Sequence, residues 1–218
     1  MTEVPYSETQ IVPPPWKLHG DGLILLYRFS SDFVDAHCGV TPAMGRYLGG
    51  LGAVILADYQ ASDVGPYREL LFVPGRFEVA GKKAHSISQS YASTTASVVS
   101  GRTNWAIPKA QADFHRAHEG DAQSWRVSVG ERDIFRVTYA PGRVAFRFWT
   151  WPFFAPLIQH VDGQTFVTRI SAHGVLKLAQ VHDLQIDPAY FPDVTGIQPV
   201  GILRATRLKM TFPRPRMV

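Results

Sequence analysis

The sequence predicts a mainly β protein, built as an antiparallel, closed or partly closed β-barrel or a sandwich, with few short helices. Two observations carry this expectation. Short apolar runs rich in β-branched and aromatic residues recur along the chain. Turn signals such as Pro141-Gly142 and Asp162-Gly163 separate them. No internal repeat or charged low-complexity run divides the 218 residues, so one domain accounts for them. At 45% hydrophobic and 18% charged, the chain can fill a substantial core.

The elements follow in order. Residues 1–15 are polar and end in Pro13-Pro14-Pro15, a stiff extended lead-in that packs or dangles, and the domain proper spans 16–218. Gly22 to Phe29 reads as a buried strand, and Ser31 or Asp32 can cap a short helix through His37. Apolar or alternating runs then predict strands over 49–60, 68–73 and 85–91, with Lys82-Lys83 in a glycine-flanked turn. The small residues and hydroxyl caps of 92–101 predict a short helix stopped by Gly101, followed by a loop over 102–109. Strand-like segments return at 111–116, 124–129, 132–139, 143–150, 164–172, 175–186 and 201–212.

Charge and cysteine content exclude several function classes. The formal net charge of +4 is scattered, and its only local concentrations are Lys82-Lys83 and Arg214-Pro-Arg216. No nucleic-acid-binding motif accompanies them, so no nucleic-acid partner is expected. The single cysteine, Cys38, permits no intramolecular disulfide and suits a reducing compartment. The first ten residues lack the pattern of a secretion signal, and no 18-residue apolar run predicts a membrane span. A cytoplasmic protein without membrane association is the expectation.

Lys109 is the residue with the clearest chemical promise. Trp105, Ala106, Ile107, Pro108 and Ala110 surround it, so an ammonium here loses hydration and its charged form is disfavoured. A neutral lysine amine attacks carbonyls to form a Schiff base. The plainer alternative is a solvated loop lysine beside a proline. Glu69 is the second candidate. Strand alternation puts it on one face with Tyr67, Leu71 and Val73, opposite Arg68, Leu70 and Phe72. A carboxylate on an apolar face needs a partner or a function. It is either paired with Arg68 or Arg76, or an acid/base group able to manage protons on an imine.

Other constellations are weaker. His115-x-x-His118 has no carboxylate or cysteine pattern to complete a metal site, and no metal is expected. The serine-rich stretch 86–100 lacks a nucleophile elbow, and Gly49-Gly50-x-Gly52 lacks the spacing of a phosphate or dinucleotide loop. Cys38 has His37 beside it in sequence, which does not by itself give catalytic geometry. Phe146, Phe148, Trp149, Trp151, Phe153 and Phe154 are expected in the core or at an oligomer contact, with pocket lining as second choice.

Three segments in order resemble the acetoacetate decarboxylase family: Pro14-Pro15-Trp16-Lys17-Leu18, Gly65-Pro66-Tyr67-Arg68-Glu69, and Gly101-Arg102-x-Asn104-Trp105-x-Ile107-Pro108-Lys109. The resemblance extends over about residues 13–212. It implies that Lys109 is a Schiff-base lysine and Glu69 an active-site carboxylate. Tyr67, Asn104, Trp105 and Arg102 would contact substrate, and Asp58, in Leu56-Ala57-Asp58-Tyr59, loosely matches a second carboxylate. The implied fold is a cone-like, mostly antiparallel β structure around an interior cavity, usually in homo-oligomers. The implied activity needs no cofactor: a Schiff-base lyase acting on a small ketone or keto acid, of specialised decarboxylase, aldolase-dehydratase or isomerase type. A non-catalytic barrel of the same descent, binding a small molecule, is the alternative.

Two departures narrow this. In the decarboxylases a second lysine directly follows the reactive one and lowers its pKa by like-charge repulsion, whereas Ala110 stands here. The family arginine that follows the Pro-Pro-Trp motif is replaced in this neighbourhood by Asp21. Both changes argue against acetoacetate itself as substrate.

Overall fold

The computed structural model describes residues 10–39, 44–79, 81–149 and 156–218. Among these, two helices and sixteen strands follow one another along the chain. The first half holds β1 (Trp16–Tyr27), α1 (Ser31–His37), β2 (Arg46–Gly49), β3 (Gly52–Ala61), β4 (Tyr67–Val73), β5 (Arg76–Val79), β6 (Lys82–His85), β7 (Gln89–Ala92) and α2 (Thr95–Trp105). The second half holds β8 (Lys109–Gln111), β9 (Asp113–Glu119), β10 (Ala122–Val129), β11 (Arg132–Trp149), β12 (Leu157–Val161), β13 (Gln164–Thr168), β14 (Ser171–Ile186), β15 (Gly201–Phe212) and β16 (Arg216–Met217). No helix among the described residues is long and apolar enough to cross a membrane.

Ten strands form one sheet in the order β8-β7-β4-β3-β1-β15-β14-β11-β10-β9. Its two end strands, β8 and β9, are joined in sequence by Ala112 alone, so the sheet curls until its ends nearly meet. The result is barrel-shaped with one unsealed seam, as the sequence predicts. Side chains span that seam: Arg68 of β4 donates to the Phe114 carbonyl of β9 at 3.0 Å, and Arg116 of β9 reaches Asp58 of β3 at 2.9 Å. A second sheet, β16-β13-β12-β6-β5-β2, lies apart from the first in hydrogen bonding.

Period-2 alternation gives the large sheet two different faces. One face sends Leu23 and Leu25 of β1, Val54 and Leu56 of β3, and Leu70 and Phe72 of β4 into a cluster with Trp125, Val127 and Val137 from the far strands. These residues are at most 2% exposed, and each such buried side chain contributes on the order of 1.5–3 kcal/mol. The barrel's enclosed side is therefore packed, not hollow. The opposite face of β1, β3, β4 and β15 carries a separate cluster that includes Trp16, Leu18, Ala57, Tyr59, Tyr67 and Leu208.

Several boundaries differ from the sequence expectation. Ser30, not Ser31 or Asp32, caps α1, its side chain accepting from the Phe33 amide at 3.2 Å. The predicted strand 85–91 is two strands, because residues 86–88 carry the chain from the second sheet to the first. Lys82 and Lys83 lie within β6, not in a turn. Helix α2 is capped by Thr94 but runs through Gly101 to Trp105, and it stops at Ala106 in the left-handed region, φ 53°. The Ala106 and Ile107 amides donate back to the Arg102 and Gly101 carbonyls, closing the helix end. The lead-in over 10–15 packs: the Val12 amide donates to Ser100 Oγ at 3.1 Å, while Trp16 Nε1 and Asn104 Nδ2 donate to the Val12 carbonyl at 3.1 and 2.7 Å.

Candidate active site

Lys109 reaches its position through a β-α-β crossover. Strand β7, helix α2 and strand β8 run in succession, and β7 pairs with β8 in parallel, setting Lys109 beside Ser90. On its other side β7 pairs antiparallel with β4, with Ala92 opposite Glu69 and Ser90 opposite Leu71. The crossover is the reason two residues 40 apart in sequence meet.

They meet closely. Lys109 Nζ lies 2.8 Å from Glu69 Oε1, and the residues are 2% and 4% exposed. Nζ also donates to Ser97 Oγ at 3.1 Å and sits 5.1 Å from the centre of the Tyr67 ring. Glu69 Oε1 accepts a second hydrogen bond from Ser90 Oγ at 2.9 Å. A buried ion pair survives when further hydrogen bonds satisfy both partners, and Ser90 and Ser97 supply them.

Gly101 makes room for this lysine. A Cβ built there would stand 2.8 Å from Lys109 Cδ and 2.9 Å from Cε, closer than real contacts allow. The glycine that reads as a helix stop is thus an interior helical residue over which the lysine chain passes.

Two buried phenols stand beside the pair. Burial holds both Tyr59 and Tyr67 well above the usual tyrosine value of 10, and the Glu69 charge adds to the effect. A hydrogen bond with Ser97 pulls Tyr67 the other way. Both hydroxyls therefore remain protonated donors at neutral pH. Lys109, Glu69, Tyr59 and Tyr67 line a cavity of about 410 Å³ on the face of the large sheet opposite the packed barrel interior. Trp16 and Trp105 form part of its wall, edge to face with ring centres 4.8 Å apart. Buried Gln159 of β12 fixes another part: it accepts from the Ile87 amide at 2.8 Å and donates to the Ile87 carbonyl at 2.9 Å.

The sequence-predicted residues divide into two groups. Lys109, Glu69, Tyr67 and Trp105 all line the cavity. Three others do not. Arg102 is exposed on α2, because the helix continues past Gly101 and turns it outward. Asn104 faces the lead-in, where it holds the Val12 carbonyl. Asp58 lies on the opposite face of β3, between Arg68 at 3.3 Å and Arg116 at 2.9 Å. Asp21 pairs with Arg204 at 3.0 Å and is likewise outside the cavity lining.

Ser90, Ser97, Tyr59 and Gln159 are the site residues that sequence reasoning passed over. Tyr59 alone carried a signal, since alternation in β3 puts it on the face of Ala57 and Ile55. Of the aromatic run, Phe148 lines the cavity, Phe146 and Trp149 are exposed, and Trp151, Phe153 and Phe154 lie outside the described residues. His115 and His118, three apart on strand β9, point to opposite faces. No group of three or more metal-binding side chains gathers among the described residues. Cys38 is buried, and burial with the nearby Asp35 charge pushes its thiol up to about 12.

Solved structures share the fold. The chain resembles a solved acetoacetate decarboxylase from Legionella pneumophila with a TM-score of 0.76 at 17% identity, over 100% of this chain and 92% of that one. It resembles the enduracididine biosynthesis enzyme MppR, solved with pyruvate, with a TM-score of 0.67 at 14% identity, over 95% and 91% of the two chains. An acetoacetate decarboxylase-like enzyme from Sphingomonas wittichii RW1 gives 0.66 at 11% identity, over 95% and 94%. No curated protein matches the sequence significantly. The family model of acetoacetate decarboxylase matches residues 2–212. With its barrel, its motif order and that match in agreement, the chain belongs to the acetoacetate decarboxylase family.

Proposed function

We propose that this protein is a cofactor-independent lyase that forms a Schiff base between Lys109 and a ketone or keto acid. One observation carries the reading: a buried lysine amine lies 2.8 Å from a buried carboxylate at the wall of a largely apolar cavity. In such surroundings Glu69 takes a proton from the Lys109 ammonium as a carbonyl arrives, and the free amine adds to the carbonyl carbon. Protonated Glu69 then returns the proton to the carbinolamine hydroxyl, which leaves as water. The iminium draws the electrons of a neighbouring bond into an enamine. Protonation of that carbon and hydrolysis release product and restore the lysine. The Tyr59 and Tyr67 hydroxyls, protonated at neutral pH, are the further donors available to the oxygen of the carbonyl. Solved relatives of the same fold include a decarboxylase and an enzyme crystallised with pyruvate, which supports carbonyl chemistry without naming the reaction.

The test is reductive trapping. Incubation with a panel of carbonyl compounds and sodium cyanoborohydride should add covalent mass to the peptide bearing Lys109, and Lys109→Met should abolish it. Absence of any adduct across ketones, aldehydes and keto acids would remove the reading.

A second reading has one observation in its favour. Lys109 is satisfied by Glu69 and Ser97, and Ala110 supplies no second cation to drive its proton off. A barrel that binds small molecules without turnover fits that pairing. Ligand binding that persists in Lys109→Met, with no trapping in the parent, would select it.

A further inference from the structure

The polarity of the cavity bears on the class of substrate. Among its described lining residues, Lys109 and Glu69 form the one buried ion pair, His85 is the other titratable group besides the tyrosines, and no arginine is present. Three arginines of the large sheet are engaged elsewhere. Arg68 and Arg116 hold Asp58, and Arg204 holds Asp21, all on the opposite face.

Lys109 is the one lysine or arginine among the described lining residues, and forming an imine uses its nitrogen. A substrate carboxylate next to the carbonyl would then lie in apolar surroundings beside the Glu69 carboxylate. Unpaired charge there is disfavoured twice, by lost hydration and by like-charge repulsion.

Beyond the polar end, the walls are aliphatic. On β4, Leu71 and Val73 continue the face that begins with Tyr67 and Glu69. Ile24 of β1, Ile55 of β3 and Leu203 of β15 lie alongside them. These side chains are half-buried, so an occupant that covered them would remove apolar surface from water. At ~30 Å³ per water-sized group, the 410 Å³ cavity admits roughly a dozen non-hydrogen atoms.

We infer that the cavity takes an uncharged ketone or aldehyde with an apolar chain, its carbonyl at Lys109 and its chain along Leu71, Ile55 and Leu203. The inference rests on the Schiff-base reading above and adds the substrate class to it. A short keto acid leaves the aliphatic wall bare and sets its own carboxylate beside that of Glu69.

The experiment compares trapping of 2-butanone, 2-nonanone, pyruvate and acetoacetate on the purified protein, with cyanoborohydride and intact-mass readout. Each buried methylene strengthens binding by about three- to fourfold. With partial burial, half-maximal trapping of 2-nonanone is expected at a concentration at least about tenfold below that for 2-butanone. Both keto acids should require more than 2-nonanone. A Leu71→Trp variant, which shortens the aliphatic trough beyond Glu69, should lose this chain-length dependence. Pyruvate or acetoacetate trapped at or below the 2-nonanone concentration would overturn the substrate class and leave the Schiff base standing. Equal response to the two ketones would do the same. Adducts with none of the four compounds would instead sink the Schiff-base reading itself.

Discussion

Gly101→Ala separates the role of Lys109 from the stability of the fold. The new methyl carbon would lie 2.8 Å from Lys109 Cδ and 2.9 Å from Cε. Carbon–carbon contacts are comfortable at ~3.5–4.0 Å, so the lysine tip must retreat by roughly 0.7–1 Å. Nζ now sits 2.8 Å from Glu69 and 3.1 Å from Ser97, and a retreat of that size carries it out of hydrogen-bonding distance of at least one of them while leaving the ion pair within about 4 Å. Misplacing a reacting group by about 1 Å costs on the order of a hundredfold in rate. Helix α2 itself responds in the opposite sense, because alanine exceeds glycine in helix propensity by about 0.8–1 kcal/mol. The repulsion with the flexible lysine offsets part of that gain, so the melting temperature should stay near that of the parent or rise slightly. The assay pairs the rate of reductive trapping at Lys109 with a thermal melt. A roughly hundredfold slower trapping with unchanged stability is the expected outcome. Trapping at the parent rate would refute the argument that this glycine exists to seat the lysine.

Three further outcomes are expected. Glu69→Gln leaves a buried ammonium without its counter-charge, and breaking a buried pair from one side costs about 3–5 kcal/mol. Lys109→Met in the same chain should recover much of that loss in urea denaturation, whereas strictly additive losses would mean that the two residues do not stabilise each other. At alkaline pH, burial pushes Tyr27 from 10.0 to about 12 and Cys38 from 9.0 to about 12, and holds Tyr59 and Tyr67 well above 10.0. The folded state then keeps protons that the unfolded chain gives up, so this stability is fully present below about pH 9 and is lost as pH rises through about 12. A denaturation midpoint that stays flat between about pH 8 and 11 would contradict those burials, and so would rapid labelling of native Cys38 by a thiol reagent at neutral pH. The homo-oligomer implied by the family resemblance should sediment at a multiple of the 24.3 kDa chain mass, and a monomer at micromolar concentration would count against it.

Much of the fold and part of the site were legible in the sequence. Strand alternation is a local, steric property of extended backbone, so Tyr67, Glu69, Leu71 and Val73 could be assigned to one face without knowing what covered it. That face is the cavity wall. Lys109 could be singled out because its apolar neighbours foretell burial, and it is 2% exposed. Helix α2 was legible by its threonine cap but not by its end. Gly101 has the composition of a stop, and only the passage of the lysine over it gives the glycine a reason to stand inside the helix. That one extension also moved Arg102 and Asn104 out of a presumed loop and away from the cavity.

Asp58 shows the limit from another side. Its face along β3 follows from alternation, but which face becomes cavity and which becomes packed barrel depends on how ten strands curl. The partners of the central pair are equally non-local. Ser90 reaches Glu69 because β7 pairs with β4, and Ser97 reaches Lys109 because β8 pairs in parallel with β7 across α2. By itself the sequence determined a mainly β domain, the apolar surroundings of Lys109 and the side of the strand on which Glu69 stands, since these follow from short-range sterics and burial. The tertiary structure alone decided that the lysine rests against a carboxylate, that no arginine among the described residues joins them, and that the cavity lies outside the packed barrel. Those outcomes depend on contacts between strands far apart in the chain, and local patterns do not encode which distant face a side chain will meet.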